Sequence, residues 1–322
     1  MEKLIFPDLY CPFPSQINKH VDVLEGYALE WVTRLNLLKD ELSYKRFRKS
    51  KFYLLAASTY PSCQLEELKI ANDWICWLFL WDDQCDMSDL GKQPKMLEIF
   101  QNRFLEILHG AELTSNDIPL GRALFDLRKR LLQIGSTKSF KNFIRTVEKY
   151  FDGSVMEANN RRQGTVPNME NCAEIHMLSG AVDSVLELIV ICNHLNIPHV
   201  LRENETLTEI RRITNNIICW SNDIYSLYRE MESGDVHNLV LALYYHQQLP
   251  LEAAMQIVAD MHDQELRTML ILEKSLTSFE VELDTNLEKY ISGLHAWISG
   301  NYNWSFQGGR YNNLESLELV KS

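Results

Sequence analysis

Segment 206–232 constrains this chain most. Ile210, Ile213, Ile217, Trp220, Ile224 and Leu227 recur at alternating steps of three and four residues, which puts them on one face of an α-helix. Segment 63–83, CQLEELKIANDWICWLFLWDD, is apolar nearly all round in its C-terminal half, so it predicts a helix buried at the centre of a bundle. Helical patterns also fall near 18–38, 42–58, 93–109, 118–134, 138–161, 181–195, 236–247, 250–276 and 278–298. Breaks are expected at Gly91, Gly110, Gly164–Pro167, Pro198, Gly234 and Pro250. No strand-like alternation, internal repeat or low-complexity run stands out. The 13 glycines and 9 prolines are too thinly spread for the frequent turns of an all-β fold. The expectation is an all-α, single-domain helical bundle over residues 1–322, with 312–322 a loosely ordered tail.

Composition removes several functions. The net charge of −12 repels nucleic acid and anionic lipid, and it implies that a phosphate substrate would reach this protein through metal cations. There is no G-x-x-x-x-G-K-[ST] loop and no G-x-G-x-x-G turn. The seven cysteines are odd in number and irregularly spaced, with no C-x-x-C pair; they predict reduced thiols in a cytoplasmic protein. The histidines form no H-x-x-x-H pair, which argues against zinc. The apolar runs, Trp74–Trp81 the foremost, fall short of the roughly 18 residues that span a bilayer, so no membrane insertion is expected. The opening MEKLIFPDLYCPFPS, with an acid after Met and three prolines, does not read as a signal peptide.

Two constellations carry chemistry. In W-D-D-Q-C-D at 81–86, Asp82 and Asp86 are one helical turn apart and can aim at one point, with Asp83 between them. Carboxylates that end a buried helix are costly unless paired or metal-bound, and hard oxygen ligands favour Mg²⁺ with phosphate co-ligands. A polar helix end running into a loop, continued by Asp89, would show the same residues. In S-N-D-I-Y-S-L-Y-R-E at 221–230, Asn222, Ser226 and Glu230 form a stripe of amide, hydroxyl and carboxylate, a partial Mg²⁺ shell. A solvated helix face would tolerate that stripe equally well.

Together, D-D-x-x-D and N-D-x-x-S-x-x-x-E resemble the paired metal signature of the class I terpene synthases in their microbial single-domain form. The resemblance extends from about residue 10 to residue 311. It implies an all-α fold around a central active-site cavity and three Mg²⁺ ions, held by Asp82 and Asp86 on one side and by Asn222, Ser226 and Glu230 on the other. Segment 297–311, WISGNYNWSFQGGRY, is similar to the family's closing stretch, so Arg310 and Tyr311 would bind the diphosphate leaving group. Arg229 stands where the family often has a basic residue and would be a further diphosphate contact. One position departs. Microbial members carry an Arg as diphosphate sensor where this chain has His176, in E-I-H-M-L-S-G-A. Either His176, protonated, takes that role or another Arg substitutes. By the same resemblance Ser179 is the linker and Gly180 the effector at a helix break; a glycine there would let its carbonyl approach the substrate.

Phe79 lies one turn before Asp82 and Trp304 just ahead of the Arg-Tyr pair, so both are candidates to stabilise a carbocation through their ring faces. The implied activity is that of a carbon–oxygen lyase. It ionises a prenyl diphosphate, by family habit the C15 farnesyl diphosphate, and cyclises the cation to a sesquiterpene. The protein would be a monomer or homodimer. Two alternatives remain: a chain-lengthening prenyl diphosphate synthase, which would carry a second Asp-rich motif in place of the 221–230 sequence, and an inactive helical scaffold.

Overall fold

The structure, a computed structural model, describes residues 5–86 (Asp86 by its backbone only), 88–276 and 280–311. The expected tail 312–322 lies outside the described residues. Among the described residues fourteen helices follow one another: α1 Val21–Arg34, α2 Glu41–Ser50, α3 Phe52–Thr59, α4 Leu65–Asp86, α5 Pro94–His109, α6 Pro119–Ile134 and α7 Thr137–Gln163, then α8 Met169–Ser179, α9 Val182–Cys192, α10 His199–Arg202, α11 Glu205–Ser233, α12 Leu239–Gln247, α13 Leu251–Ser275 and α14 Val281–Gln307. A 3-10 turn, Asp89–Lys92, follows α4. The described residues contain no strand, as the sequence pattern predicts.

The nearly all-apolar α4 runs through the middle. Trp74, Trp77 and Trp81 are fully buried, and Trp74 stacks on Trp77 at 5.2 Å. Burying one indole removes on the order of 200 Å² from water, about 5 kcal/mol of transfer free energy. The polar edges are satisfied where the rings go in: Trp74 Nε1 donates to Ser184 Oγ of α9 at 2.9 Å, and Trp77 Nε1 donates to the Leu120 carbonyl of α6 at 2.9 Å. Around α4 stand α1, α3, α6 and α9, while α11 packs against α13, α14, α8 and α9. The predicted face of α11 is the buried one, from Ile210 to Leu227. Asn204 caps its start by accepting from Leu207 N, and Gly234, at φ 74°, ends it four residues past Glu230.

Three boundaries differ from the sequence pattern. The run 42–58 is broken at Lys51, which takes a left-handed conformation (φ 50°, ψ 47°) so that Phe47 and Phe52 can meet edge to face at 5.5 Å. Residues 169–179 form a separate helix, α8. The last helix continues past Gly300 to Gln307, because that glycine serves packing rather than a turn: a Cβ there would lie 2.8 Å from Thr59 Cγ2 and 2.9 Å from the Ser58 carbonyl carbon. The apolar-run expectation is also corrected. Among the described residues, Met169–Cys192 is long and apolar enough to cross a membrane by length and composition, at hydropathy 1.8. It is broken between α8 and α9, and 61% of its most apolar window is buried within the bundle.

Candidate active site

A cavity opens between the C-terminal ends of α4 and α11. Along α4 its wall is Ile75, Leu78, Phe79 and then Asp82; along α11 it is Ile218, Cys219, Asn222, Arg229 and Glu230. Both walls therefore turn from apolar to polar in the same direction. Leu55, Val182, Val185 and Trp297 complete the apolar part, and Arg310 and Tyr311 complete the polar end.

The polar end is held by charge. Arg310, with its side chain only 5% exposed, places Nη2 3.2 Å from Asp82 Oδ2 and 3.0 Å from Asp83 Oδ1. Arg229 Nη2 donates to the same Asp83 oxygen at 2.8 Å. Asp83 thus links a residue of α11 to the segment after α14. Asn222 Nδ2 donates to Tyr311 Oη at 2.6 Å, which leaves the amide oxygen of Asn222 for another partner. Ser226 Oγ donates to the Asn222 carbonyl at 2.7 Å, and Glu230 Oε2 accepts from Asn238 Nδ2 at 2.7 Å. Burial, with Asp223 and Asp235 nearby, pushes the Glu230 carboxyl up to about 8. The Asp86 side chain lies outside the described residues. Among those described, no three His, Cys, Asp or Glu side chains gather into a metal site of their own. The oxygen donors on α11 include an amide and a hydroxyl, a mixed set that suits a hard cation with oxygen co-ligands.

His176 is turned toward α11. Its Nδ1 lies 3.1 Å from Asp223, the acid next to Asn222, and the ring lines the cavity. Burial alone would lower its pKa, but the Asp223 carboxylate, with Glu157 and Glu230, raises it to about 9. Ser179 and Gly180 do fall at a helix break and line the cavity. Ser179 Oγ donates to Glu157 Oε1 at 2.6 Å. The need for glycine at 180 is packing: its φ is −67°, and a Cβ would meet Cys219 Sγ at 2.7 Å and the His176 carbonyl oxygen at 2.9 Å. The left-handed residue of the break is Ala181, at φ 56°.

Two aromatic expectations change. Phe79 reaches the cavity, but its ring stacks on Phe52 at 4.5 Å and carries the Arg310 guanidinium at 4.4 Å. Trp304 does not line the cavity. It is 1% exposed behind Phe79 and Tyr311 and donates Nε1 to the Ser50 carbonyl at 2.8 Å. A polar wall also escapes the motif reading: Glu157, Arg161, Asp235 and His237. Arg161 Nη2 pairs with Glu157 at 3.1 Å and with Asp235 at 2.7 Å. Two signals for it were present, the i, i+4 spacing of Glu157 and Arg161 and the acid directly after Gly234.

Comparison with known proteins agrees with this geometry. The family described as "Terpene synthase family 2, C-terminal metal binding" matches residues 73–268, which include both oxygen-bearing helix ends. A germacrene A synthase of Nostoc punctiforme is 53% identical over 321 residues, covering 100% of this chain and 99% of the relative. A (+)-T-muurolol synthase of Roseiflexus castenholzii is 36% identical, covering 94% and 93%. In fold, the crystal structure of germacradien-4-ol synthase from Streptomyces citricolor superimposes with a TM-score of 0.83 at 24% identity, covering 94% of this chain and 98% of that one. This chain therefore belongs to the terpene synthase family, as a microbial class I terpene cyclase that uses divalent metal.

Proposed function

We propose that the protein ionises farnesyl diphosphate and cyclises the C15 cation to a sesquiterpene within one catalytic domain. The observation that carries this is the cavity whose two helical walls change together from apolar to oxygen-rich. The C15 choice is supported by the Roseiflexus relative, whose name specifies the cyclisation of (2E,6E)-farnesyl diphosphate. Such a substrate has the same polarity as the cavity: an apolar chain with a diphosphate at one end.

The donor set fits Mg²⁺. Glu230 is raised by burial among other acids, an arrangement that a divalent cation would relieve, and Asn222 keeps its amide oxygen free of Tyr311. Asp82 and Asp86 would hold metal from α4, and Asn222, Ser226 and Glu230 from α11, with three ions as the family resemblance implies. Bound there, Mg²⁺ would stabilise the developing charge on the leaving oxygens.

The chain's own residues do the rest. Arg229, Arg310 and Tyr311 offer N–H and O–H donors to the diphosphate, and the guanidinium fork suits phosphate oxygens. Arg310 also has a buried Nε without a protein partner, a donor left over for that ligand. His176, oriented by Asp223, stands at the sensor position, with Ser179 and Gly180 beside it. Leu55, Ile75, Val185 and Ile218 give the cation a surface without nucleophiles and exclude water. Phe79 serves chiefly by supporting Arg310. On this reading the protein is cytoplasmic, acts on a small molecule, and works as a monomer or homodimer.

Incubation with C10, C15 and C20 diphosphates and Mg²⁺, followed by gas chromatography, tests the assignment. A cyclic C15 hydrocarbon from farnesyl diphosphate is expected. Formation of a longer diphosphate when isopentenyl diphosphate is added would mean chain elongation instead. No turnover of any of them would leave a scaffold.

A further inference from the structure

The segment before α1 carries no residue of the proposed chemistry, yet it is tied to the elements that do. Phe6 sets its ring 6.0 Å from Tyr225 and, edge-on, 6.0 Å from Tyr228. Tyr225 directly precedes Ser226, and Tyr228 directly precedes Arg229. Tyr225 also meets Phe306 at 4.7 Å and Tyr302 at 6.2 Å, both on α14. Phe306 stands two residues before the Gly308–Gly309 pair that leads into Arg310 and Tyr311. None of these five rings lines the cavity. They form a cluster on the outer side of α11 and α14, at the level of the polar end.

At that level Gly309 N donates to the Lys49 carbonyl at 2.9 Å and Arg310 pairs with Asp82 and Asp83, which ties the closing segment to α2 and α4. α14 stops at Gln307 without a side-chain cap, and two glycines follow. Arg310 and Tyr311 must nevertheless be held in register with Asn222, across the 2.6 Å bond from Asn222 Nδ2 to Tyr311 Oη. Meanwhile the N-terminal segment has anchors that do not involve Phe6. Tyr10 N donates to Asp263 Oδ1 at 2.9 Å, Phe13 stacks on His295 at 3.8 Å, and Asn18 Nδ2 donates to the Tyr60 and Cys63 carbonyls at 2.8 Å.

We infer that Phe6 is a positioning residue: from outside the cavity its ring braces Tyr225 and Tyr228 against α14, and so fixes the oxygen set of α11 relative to Arg310 and Tyr311. It touches neither substrate nor metal. The inference rests on the proposed function for what that set binds, but the brace itself is a matter of packing. Pre-organised donors bind their ligand without first losing conformational freedom, so a brace acts on affinity and rate rather than on fold.

Three variants separate these roles: Phe6→Ala, Phe6→Leu as the conservative rescue, and Phe13→Ala as a control at the other end of the same segment. Hydrogen exchange over residues 304–311 reads the brace whether or not the protein turns over. Phe6→Ala should speed exchange there about fivefold, the scale of one aromatic cluster contact, with little change in Tm. Binding of Mn²⁺ with inorganic diphosphate, followed by electron paramagnetic resonance, should weaken by about the same factor, and kcat for farnesyl diphosphate should fall more than KM rises. Phe6→Leu should restore most of each. Phe13→Ala should lower Tm and leave exchange at 304–311 and Mn²⁺ affinity as in wild type. Unchanged exchange in Phe6→Ala, or an equal change in Phe13→Ala, overturns the inference even in an active enzyme. Faster exchange in Phe6→Ala alongside an inactive wild type supports the brace and sinks the proposed function instead.

Discussion

Asp83 accepts from both Arg229 and Arg310, so the second aspartate of W-D-D-Q-C-D organises cations, while Asp82 keeps a side chain 45% exposed at the cavity. Sequence spacing could place all three aspartates on one helix end, but not distribute the work among them, because the arginines come from α11 and from beyond α14. Trp304 failed as a cavity residue for the opposite reason: its neighbours in sequence, Arg310 and Tyr311, face the cavity, but its indole N–H found a buried carbonyl on the far side. Asp82→Ala and Asn222→Ala should each lower turnover at least about a hundredfold, since each removes a hard oxygen ligand from one wall. Unchanged far-ultraviolet circular dichroism would show that the helices remain; near-wild-type turnover in either variant would remove that side chain from the metal set. For His176 the geometry names a partner that sequence could not. If His176 and Asp223 act as a unit, His176→Ala and Asp223→Asn should each slow turnover, and the double variant should be little worse than either. Fully additive losses would show that the 3.1 Å pair does not matter to the reaction.

Helices were the most legible part, since α4 and α11 each bury a stripe or a whole circumference readable as periodicity. What periodicity missed was close helix crossing. The last helical pattern stopped near 298, yet α14 runs on through Gly300, the point where it meets α3; Lys51 looked helical and is the joint that lets α2 and α3 diverge. Both are decided by a partner distant in sequence. Glycines in helices therefore divide by what surrounds them. Gly300→Ala should lower Tm and turnover, because a methyl at 2.8 Å from Thr59 Cγ2 and about as near the Ser58 backbone must push α14 outward. Gly26→Ala in α1 meets nothing within 4 Å and should stabilise by about 0.5–1 kcal/mol through helix propensity. Paired thermal melts decide this. Opposite signs are predicted, and equal shifts would contradict the crossing argument.

At the scale of the whole molecule, a polar group far from the cavity contributes to the stability of the fold in acid. The loop between α5 and α6 is held by Asp117, which accepts from Arg103 Nε at 2.7 Å, Arg103 Nη2 at 2.9 Å and Thr114 N at 2.6 Å. Those bonds, the Arg103 ones first, hold its carboxyl well below the usual carboxylate range despite partial burial. A carboxyl lowered in the folded state contributes stability that is present above about pH 4 and lost as pH falls through its folded value. Asp117→Asn should therefore lower Tm at neutral pH and flatten its fall in acid; a parallel wild-type curve would put the acid sensitivity elsewhere. None of this was legible in sequence, because a loop aspartate and a helix arginine acquire their pairing only in the fold. The paired oxygen motifs were legible, because each sits within one helix and only their meeting needed the structure. That meeting is the central claim, and metal removal tests it most directly. Protein stripped with EDTA should convert no farnesyl diphosphate, and added Mg²⁺ should restore a cyclic C15 product together with released diphosphate. Full turnover without any divalent ion would contradict the account.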